Sequence, residues 1–167
     1  MEIRRIGPED RGRVNDLIMK NWYSLEMAVH GELFDLGRAD GFTAEEDGEI
    51  AGLLTFRADD KEMEILSLDS FRENRGVGTA LLKAAIAQAR SRSLRRIMLV
   101  ATNDNTRAIR FYQKRGFDMA ALYRGAVEKA RRLKPSIPLM GNDDIPLRHE
   151  IEFELLLRDP AEGRDGP

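Results

Sequence analysis

The sequence predicts an α/β (α+β) fold built on one mixed, mostly antiparallel sheet of about six to seven strands, with helices on both faces. Three observations predict it. Alternating runs flank Asp47-Gly48, a strong hairpin signal, and open an antiparallel meander. The hydrophobic period then changes at Gly76 from that of a strand to that of a helix. From there to Tyr123 the chain alternates helix and strand, which puts helices against the sheet.

In chain order, Glu2 to Ile6 forms a short first strand, and Pro8-Glu9-Asp10 starts a helix with proline early and acids where the dipole favours them. Val14, Leu17, Ile18 and Trp22 give that helix its apolar face, and a weaker helical stretch is expected from Leu25 to Leu36. Phe42 to Glu46, Glu49 to Arg57 and Lys61 to Asp69 read as consecutive strands. Val77, Leu81, Ala84, Ala85 and Ala89 mark one face of a helix reaching about Arg92. Ile97 to Ala101 is a buried strand, Thr106 to Arg115 a short helix closed by Gly116, and Phe117 to Tyr123 a further strand. Ala126 to Leu133 is helical. Lys134 to Arg148, with its prolines and Asn142-Asp143-Asp144, is either a functional lid or loosely ordered. Glu150 to Leu157 alternates as a closing strand. Residues 1–157 are thus expected to make one domain, and 158–167 a disordered tail.

Composition narrows the function. The 167 residues carry 27 basic and 29 acidic side chains, a net charge of −2, which gives no global drive toward nucleic acid or an anionic membrane. No cysteine is present, so disulfides, thiolate nucleophiles and sulfur-ligated metals are excluded. His30 and His149 stand in no metal-ligand spacing, and no metal is expected. No apolar run approaches a membrane span, and the first residues carry no export signal, so a cytoplasmic protein is expected. The clusters Arg90, Arg92, Arg95, Arg96 and Lys129, Arg131, Arg132, Lys134 read as solvated cations near helix C-termini. Oligomeric state is open, a homodimer included.

The most informative segment is Asn74-Arg75-Gly76-Val77-Gly78-Thr79-Ala80, between a strand and a helix. Its glycines let an anion approach the backbone, and the unpaired amides of the first helical turn favour a pyrophosphate. No Lys-Ser or Lys-Thr pair follows Gly78, and Leu81 stands where a dinucleotide fingerprint needs glycine, so both nucleotide motifs fail. A tight turn that binds nothing is the alternative.

Glu73-Asn74-Arg75-Gly76-Val77-Gly78 resembles the Q/R-x-x-G-x-G/A motif of the GNAT superfamily, with Glu73 where the family has Gln or Arg. Asn105-Thr106-Arg107-Ala108-Ile109-Arg110-Phe111-Tyr112-Gln113-Lys114-Arg115-Gly116-Phe117 looks like its second signature, N-x-x-A-x-x-F-Y-x-x-x-G-F, without a mismatch. The resemblance covers roughly residues 2 to 123. It implies a GNAT-type sheet and an acetyl-CoA-dependent N-acetyltransferase that passes the acetyl group directly to a primary amine on a small molecule or peptide. The alternative is a non-catalytic CoA-binding or regulatory module on the same fold.

By this resemblance, Ser70, Arg75, Gly76, Val77, Gly78 and Thr79 bind the cofactor, together with Leu68, whose backbone pairs with pantetheine and polarises the acetyl carbonyl. Tyr112 would protonate the departing CoA thiolate, a transfer between a thiol near ~8.5 and a phenol near ~10; otherwise it is a packing aromatic beside Phe111. Asn105 either touches the pantetheine arm or caps its helix. Glu62 and Glu64 alternate onto one strand face with Leu66 and Leu68, and either supplies the base, directly or through water, or belongs to a solvated face. His30 lies in a segment that would border the acceptor site, or is a structural histidine, and Asp143, Asp144, Arg148, His149 and Glu150 could line that site from the other side, none of them singled out.

Overall fold

A computed structural model describes residues 1–72 and 75–157; the expectations for Glu73 and for the 158–167 tail lie outside the described residues. The elements run β1 (Glu2–Arg5), α1 (Arg11–Trp22), β2 (Glu26–Val29), β3 (Glu32–Asp35), β4 (Asp40–Glu46), β5 (Glu49–Ala58), β6 (Glu62–Ser70), α2 (Val77–Ser91), β7 (Arg96–Thr102), α3 (Thr106–Gln113), β8 (Asp118–Tyr123), α4 (Ala126–Leu133) and β9 (Glu150–Leu156). The seven-stranded sheet has the order β1-β4-β5-β6-β7-β9-β8. Every neighbouring pair is antiparallel except β6 and β7, which the α2 crossover joins in parallel.

Local chemistry explains most of these elements. Asp47 and Gly48 take φ of 53° and 80°, the two left-handed positions of a two-residue hairpin. Gly76, at φ 76°, ends the approach to α2, and Gly116, at φ 86°, follows the last turn of α3. Val77, Leu81, Leu82, Ala85 and Ala89 of α2 are buried in a core with Leu54 and Phe56 of β5, Ile97 and Leu99 of β7, and Phe117 and Phe153. Gly52 is needed where α2 crosses the sheet, because a Cβ there would collide with Val77. On the opposite face, Val14 and Ile18 of α1 pack with Ile6, Leu36, Leu53 and Leu66 in a second core.

The expected helix from Leu25 to Leu36 is instead a β-hairpin. Met27 pairs with Phe34 and Val29 with Glu32 across His30-Gly31, whose φ values are 47° and 81°. Leu36–Arg38 then forms a single 3-10 turn capped by Asp35. The left-handed dipeptide decides the matter: a glycine after a residue tolerant of positive φ closes a hairpin more readily than it continues a weakly patterned helix.

Two tertiary features position the site. β6 and β7 pair only from Glu62/Arg96 to Ile65/Leu99, yet β6 runs on to Ser70 and β7 to Thr102, so the strands part beyond that point. Beside the parting, the β5–β6 register slips between Thr55 and Phe56, the mark of a bulge in β6. Leu66 therefore packs in the α1-side core while Leu68 packs against the α2-side core. The expectation that Glu62, Glu64, Leu66 and Leu68 share one face fails at this bulge, because one extra residue reverses the alternation.

Candidate active site

The parted strands separate two hollows. On the α2 side, a cleft of about 510 Å³ is lined by Leu68, Ser70, Gly76, Val77, Gly78, Thr79, Asn105, Arg107, Phe111, Tyr112, Arg115 and Asn142. The structure thus gathers Leu68, Ser70, the glycine turn, Asn105 and Tyr112 into one wall, with Arg75 exposed beside it. At the head of α2, the amides of Val77, Gly78 and Thr79 have no acceptor within the helix. Nothing lies within 4 Å of a Cβ built on Gly76, whereas one on Gly78 would stand 3.4 Å from the Phe111 ring. These open amides, at the positive end of the dipole and flanked by guanidinium groups, fit a bound pyrophosphate.

Arg115, a residue the sequence reading did not single out, braces this wall. Its guanidinium lies 3.5 Å from the Phe111 ring centroid, donates to Thr79 Oγ1 at 2.6 and 3.1 Å, and donates to the Phe111 carbonyl at 2.9 Å. The signature carries an arginine there without requiring one, so only the fold shows that it ties α3 to the start of α2. Asn105 is an N-cap, its Oδ1 accepting from the Ala108 amide at 3.1 Å. Arg72, next to Glu73, is bound to Glu46 at 3.0 Å and Glu49 at 3.4 Å on the β4–β5 hairpin.

Tyr112 is 7% exposed and packs edge-on against Phe111 and Phe117. Its phenol is pushed well above the ordinary range, first by burial and then by repulsion from Asp69, with Arg115 opposing. Asp69 is itself raised by burial although Trp22 Nε1 donates to it at 3.2 Å.

On the α1 side a second cavity, of about 530 Å³, is enclosed by α1's end, the β2–β3 hairpin, β6, β7, α4 and the 134–138 stretch. Glu64 stands on its floor with both oxygens engaged: Oε1 meets His30 Nε2 at 2.7 Å, and Oε2 accepts from Arg57 Nε at 2.7 Å. Removing Arg57 would strand a carboxylate that is only 9% exposed in its side chain. Arg57→Leu is expected to cost about 2 kcal/mol, below the usual range for a buried pair because Arg57 is 38% exposed. Thermal melting should fall by about 4–8 °C, and adding Glu64→Gln should recover part of the loss.

Glu62 does not reach either hollow; Arg96 holds it at 2.7 Å and also grips Glu152 at 3.3 Å and Glu154 at 3.0 Å. Arg96, expected as a solvated cap, is therefore the cation that neutralises Glu62, Glu152 and Glu154 on one face of the sheet. Lys134 and Arg131 are likewise anchors, with Lys134 Nζ donating to the Glu26 carbonyl at 2.7 Å and Arg131 donating to the carbonyls of Ile137, Pro138 and Leu147. The 134–148 segment is tied down at its far end as well, where Asp104 accepts from the Asn142 backbone and side chain, and Asn103 from the Arg148 and His149 amides.

Among the other acceptor-side candidates, Arg148 pairs with Glu128, and His149 Nδ1 accepts from the Gly125 amide. Asp143 and Asp144 occupy a left-handed turn and line neither hollow. Glu150 alone of this group opens into the α1-side cavity. Its carboxyl is raised by burial, against the opposing effect of His30, with Glu64 adding the smallest contribution. The folded protein thus holds this proton more tightly than the unfolded chain, a contribution fully present below the unfolded value and lost as pH rises through the folded one. Glu150→Gln should therefore raise the melting temperature more at about pH 7 than at about pH 4.

Similarity to known proteins agrees with this geometry. Residues 11–117 match the family model described as the acetyltransferase (GNAT) family. The uncharacterized protein YdhI of Bacillus subtilis is 47% identical over 145 residues, spanning 86% of this chain and 91% of that protein. A GNAT family acetyltransferase from Elizabethkingia anophelis with acetyl-CoA bound superposes with a TM-score of 0.67 at 18% identity, covering 93% of this chain and 97% of the other. A Bacillus subtilis acetyltransferase in complex with CoA gives a TM-score of 0.70 at 20% identity, covering 94% and 100%.

Proposed function

The chain belongs to the acetyltransferase (GNAT) family, and we propose that it is an acetyl-CoA-dependent N-acetyltransferase acting on a primary amine. One observation carries this reading: the β6–β7 parting lies between a cleft suited to a diphosphate and a separate cavity floored by carboxylates. Donor and acceptor would approach from opposite faces and meet where the strands separate.

Acetyl-CoA supplies an activated thioester. The first-turn amides of α2, with Arg75 and Arg115 near them, would hold its diphosphate, and the β6 backbone at Leu68 would orient its arm and polarise the carbonyl. The neutral amine attacks the carbonyl carbon, a C–N bond forms, the C–S bond breaks, and Tyr112 donates its proton to the sulfur, while the nitrogen's surplus proton leaves through water and the tyrosinate regains one from water. The amine reaches the protein as an ammonium and must lose a proton first. Glu64 is ill-suited to take it directly, since His30 and Arg57 occupy both its oxygens. In this reading Glu64 and His30 orient water that carries the proton to the cavity mouth, and Glu62, bound to Arg96, has no catalytic role.

Calorimetric titration with acetyl-CoA, ATP and NAD, paired with thiol release in the presence of amines, tests the reading. Uptake of acetyl-CoA alone, with amine-dependent thiol release, is expected. Uptake without turnover on any amine would favour a CoA-binding module instead.

A further inference from the structure

The acidic sheet face holds Glu62, Glu64, Glu150, Glu152 and Glu154, and the first two and last two are paired with Arg57, Arg96, His30 or Tyr123. Among the described residues, Glu150 has no ion pair or hydrogen bond from its side chain, yet it is half-buried and opens into the 530 Å³ cavity. A carboxylate kept there without a partner is costly unless a cation arrives from outside. The remaining wall is largely apolar, with Met27, Leu36, Leu66, Val100, Val127 and Leu147 around it. Its cation Lys134 is spent on the Glu26 carbonyl, and Arg57 on Glu64. Arg124 and Lys129, which line an adjoining hollow that Glu150 also borders, are exposed to water and form no hydrogen bond or ion pair with it.

Resting on the transfer reading above, we propose that the acceptor is an apolar primary monoamine, a hydrocarbon body ending in a single ammonium, and that Glu150 selects it by binding that ammonium. The body lies along Met27, Leu66 and Val100, and the ammonium lies between Glu150 and Glu64, pointing toward the strand parting. Glu26, the third carboxylate lining the cavity, is exposed to water, so a second charge on the body would be buried against these apolar side chains without a desolvated counter-ion, which the site rejects strongly. An added hydroxyl is rejected only weakly by an apolar wall, so a phenolic amine should remain a substrate. An extended peptide is disfavoured because the 134–138 stretch is braced across the cavity by Lys134 and Arg131. Burial raises the Glu150 carboxyl although His30 opposes it, and an incoming ammonium relieves that desolvation.

The test uses the full chain with acetyl-CoA and the probes phenethylamine, hexylamine, tyramine, spermidine, phenylalanine, kanamycin and an alanine-led peptide. Thiol release should give phenethylamine and hexylamine a kcat/KM at least about tenfold above spermidine, phenylalanine, kanamycin and the peptide. Separately, calorimetry should show phenethylamine binding the CoA-loaded protein, and Glu150→Gln should weaken that binding at least about tenfold while CoA affinity stays unchanged. A preference for a polycation, an amino acid or the peptide overturns the proposal and leaves acetyl transfer standing. Unaltered phenethylamine binding in Glu150→Gln also overturns it. Glu150-dependent binding of phenethylamine without turnover supports the acceptor site and overturns the transfer reading instead.

Discussion

Replacing Tyr112 with phenylalanine should lower kcat about 100-fold while leaving the dissociation constant of acetyl-CoA unchanged. The ring contacts with Phe111, Phe117 and Phe153 survive the change, and no described residue hydrogen-bonds the hydroxyl. Melting should therefore move by no more than the equivalent of about 1 kcal/mol. What would disappear is the proposed proton donor to the departing sulfur. Burial and Asp69 hold the phenol above its ordinary range, so the group stays protonated throughout the working range of pH. The same environment makes outright transfer to an isolated thiolate uphill, since a thiol titrates near ~8.5. In the proposed reaction Tyr112 would then act by donating a strong hydrogen bond as the C–S bond lengthens, with transfer completed when the sulfur is poorly solvated. Wild-type kcat should accordingly show no fall between about pH 8 and about pH 10 from loss of this donor. Single-turnover kinetics across that range would detect it, and unchanged turnover in Tyr112→Phe would remove the role.

Gly78→Asp should separate stability from cofactor binding. Gly78 lies in the first turn of α2, where an aspartate is favoured by the dipole and a glycine is a poor helix former. Its new Cβ would meet only the Phe111 ring, at 3.4 Å. The free protein should thus melt at the same or a slightly higher temperature. Acetyl-CoA affinity should fall about 100-fold or more, because a carboxylate now competes for the amides that face the diphosphate and repels it. Loss of affinity together with a rise in free-protein stability is the expected pair of results in calorimetry and thermal melting. Affinity equal to that of wild type would place the diphosphate elsewhere.

Much of the fold is legible in short stretches of sequence. Asp47-Gly48 specifies its hairpin through backbone sterics alone, and Val77, Leu81, Ala85 and Ala89 specify the buried face of α2 through spacing. Gly76 and Gly78 mark the cleft at the head of α2 because an uncrowded backbone at a helix start is a local feature. The spacing from Asn105 to Phe117 likewise brings Asn105 to the N-cap and turns Tyr112 toward the cleft.

The acceptor side was not legible in the same way. The His30-Gly31 turn carries a weaker version of the Asp47-Gly48 signal, and a sparse helical pattern hid it. The bulge that carries Leu68 to the opposite face from Leu66 arises from register against β5, which no stretch of β6 encodes by itself. β9 inserts between β7 and β8, and only there does Arg96 find Glu152 and Glu154. Which glutamate of the β6–β9 face is left unpaired among the described residues is decided by the positions of cations distant in sequence. Sequence by itself determined most of the elements, the glycine turn at the head of α2 and the tyrosine beside the cleft, because each depends on neighbours within a few residues. Tertiary structure alone decided that Glu64 is engaged and Glu150 is open, because ion pairing follows distance in space and that distance is set by strand order and register.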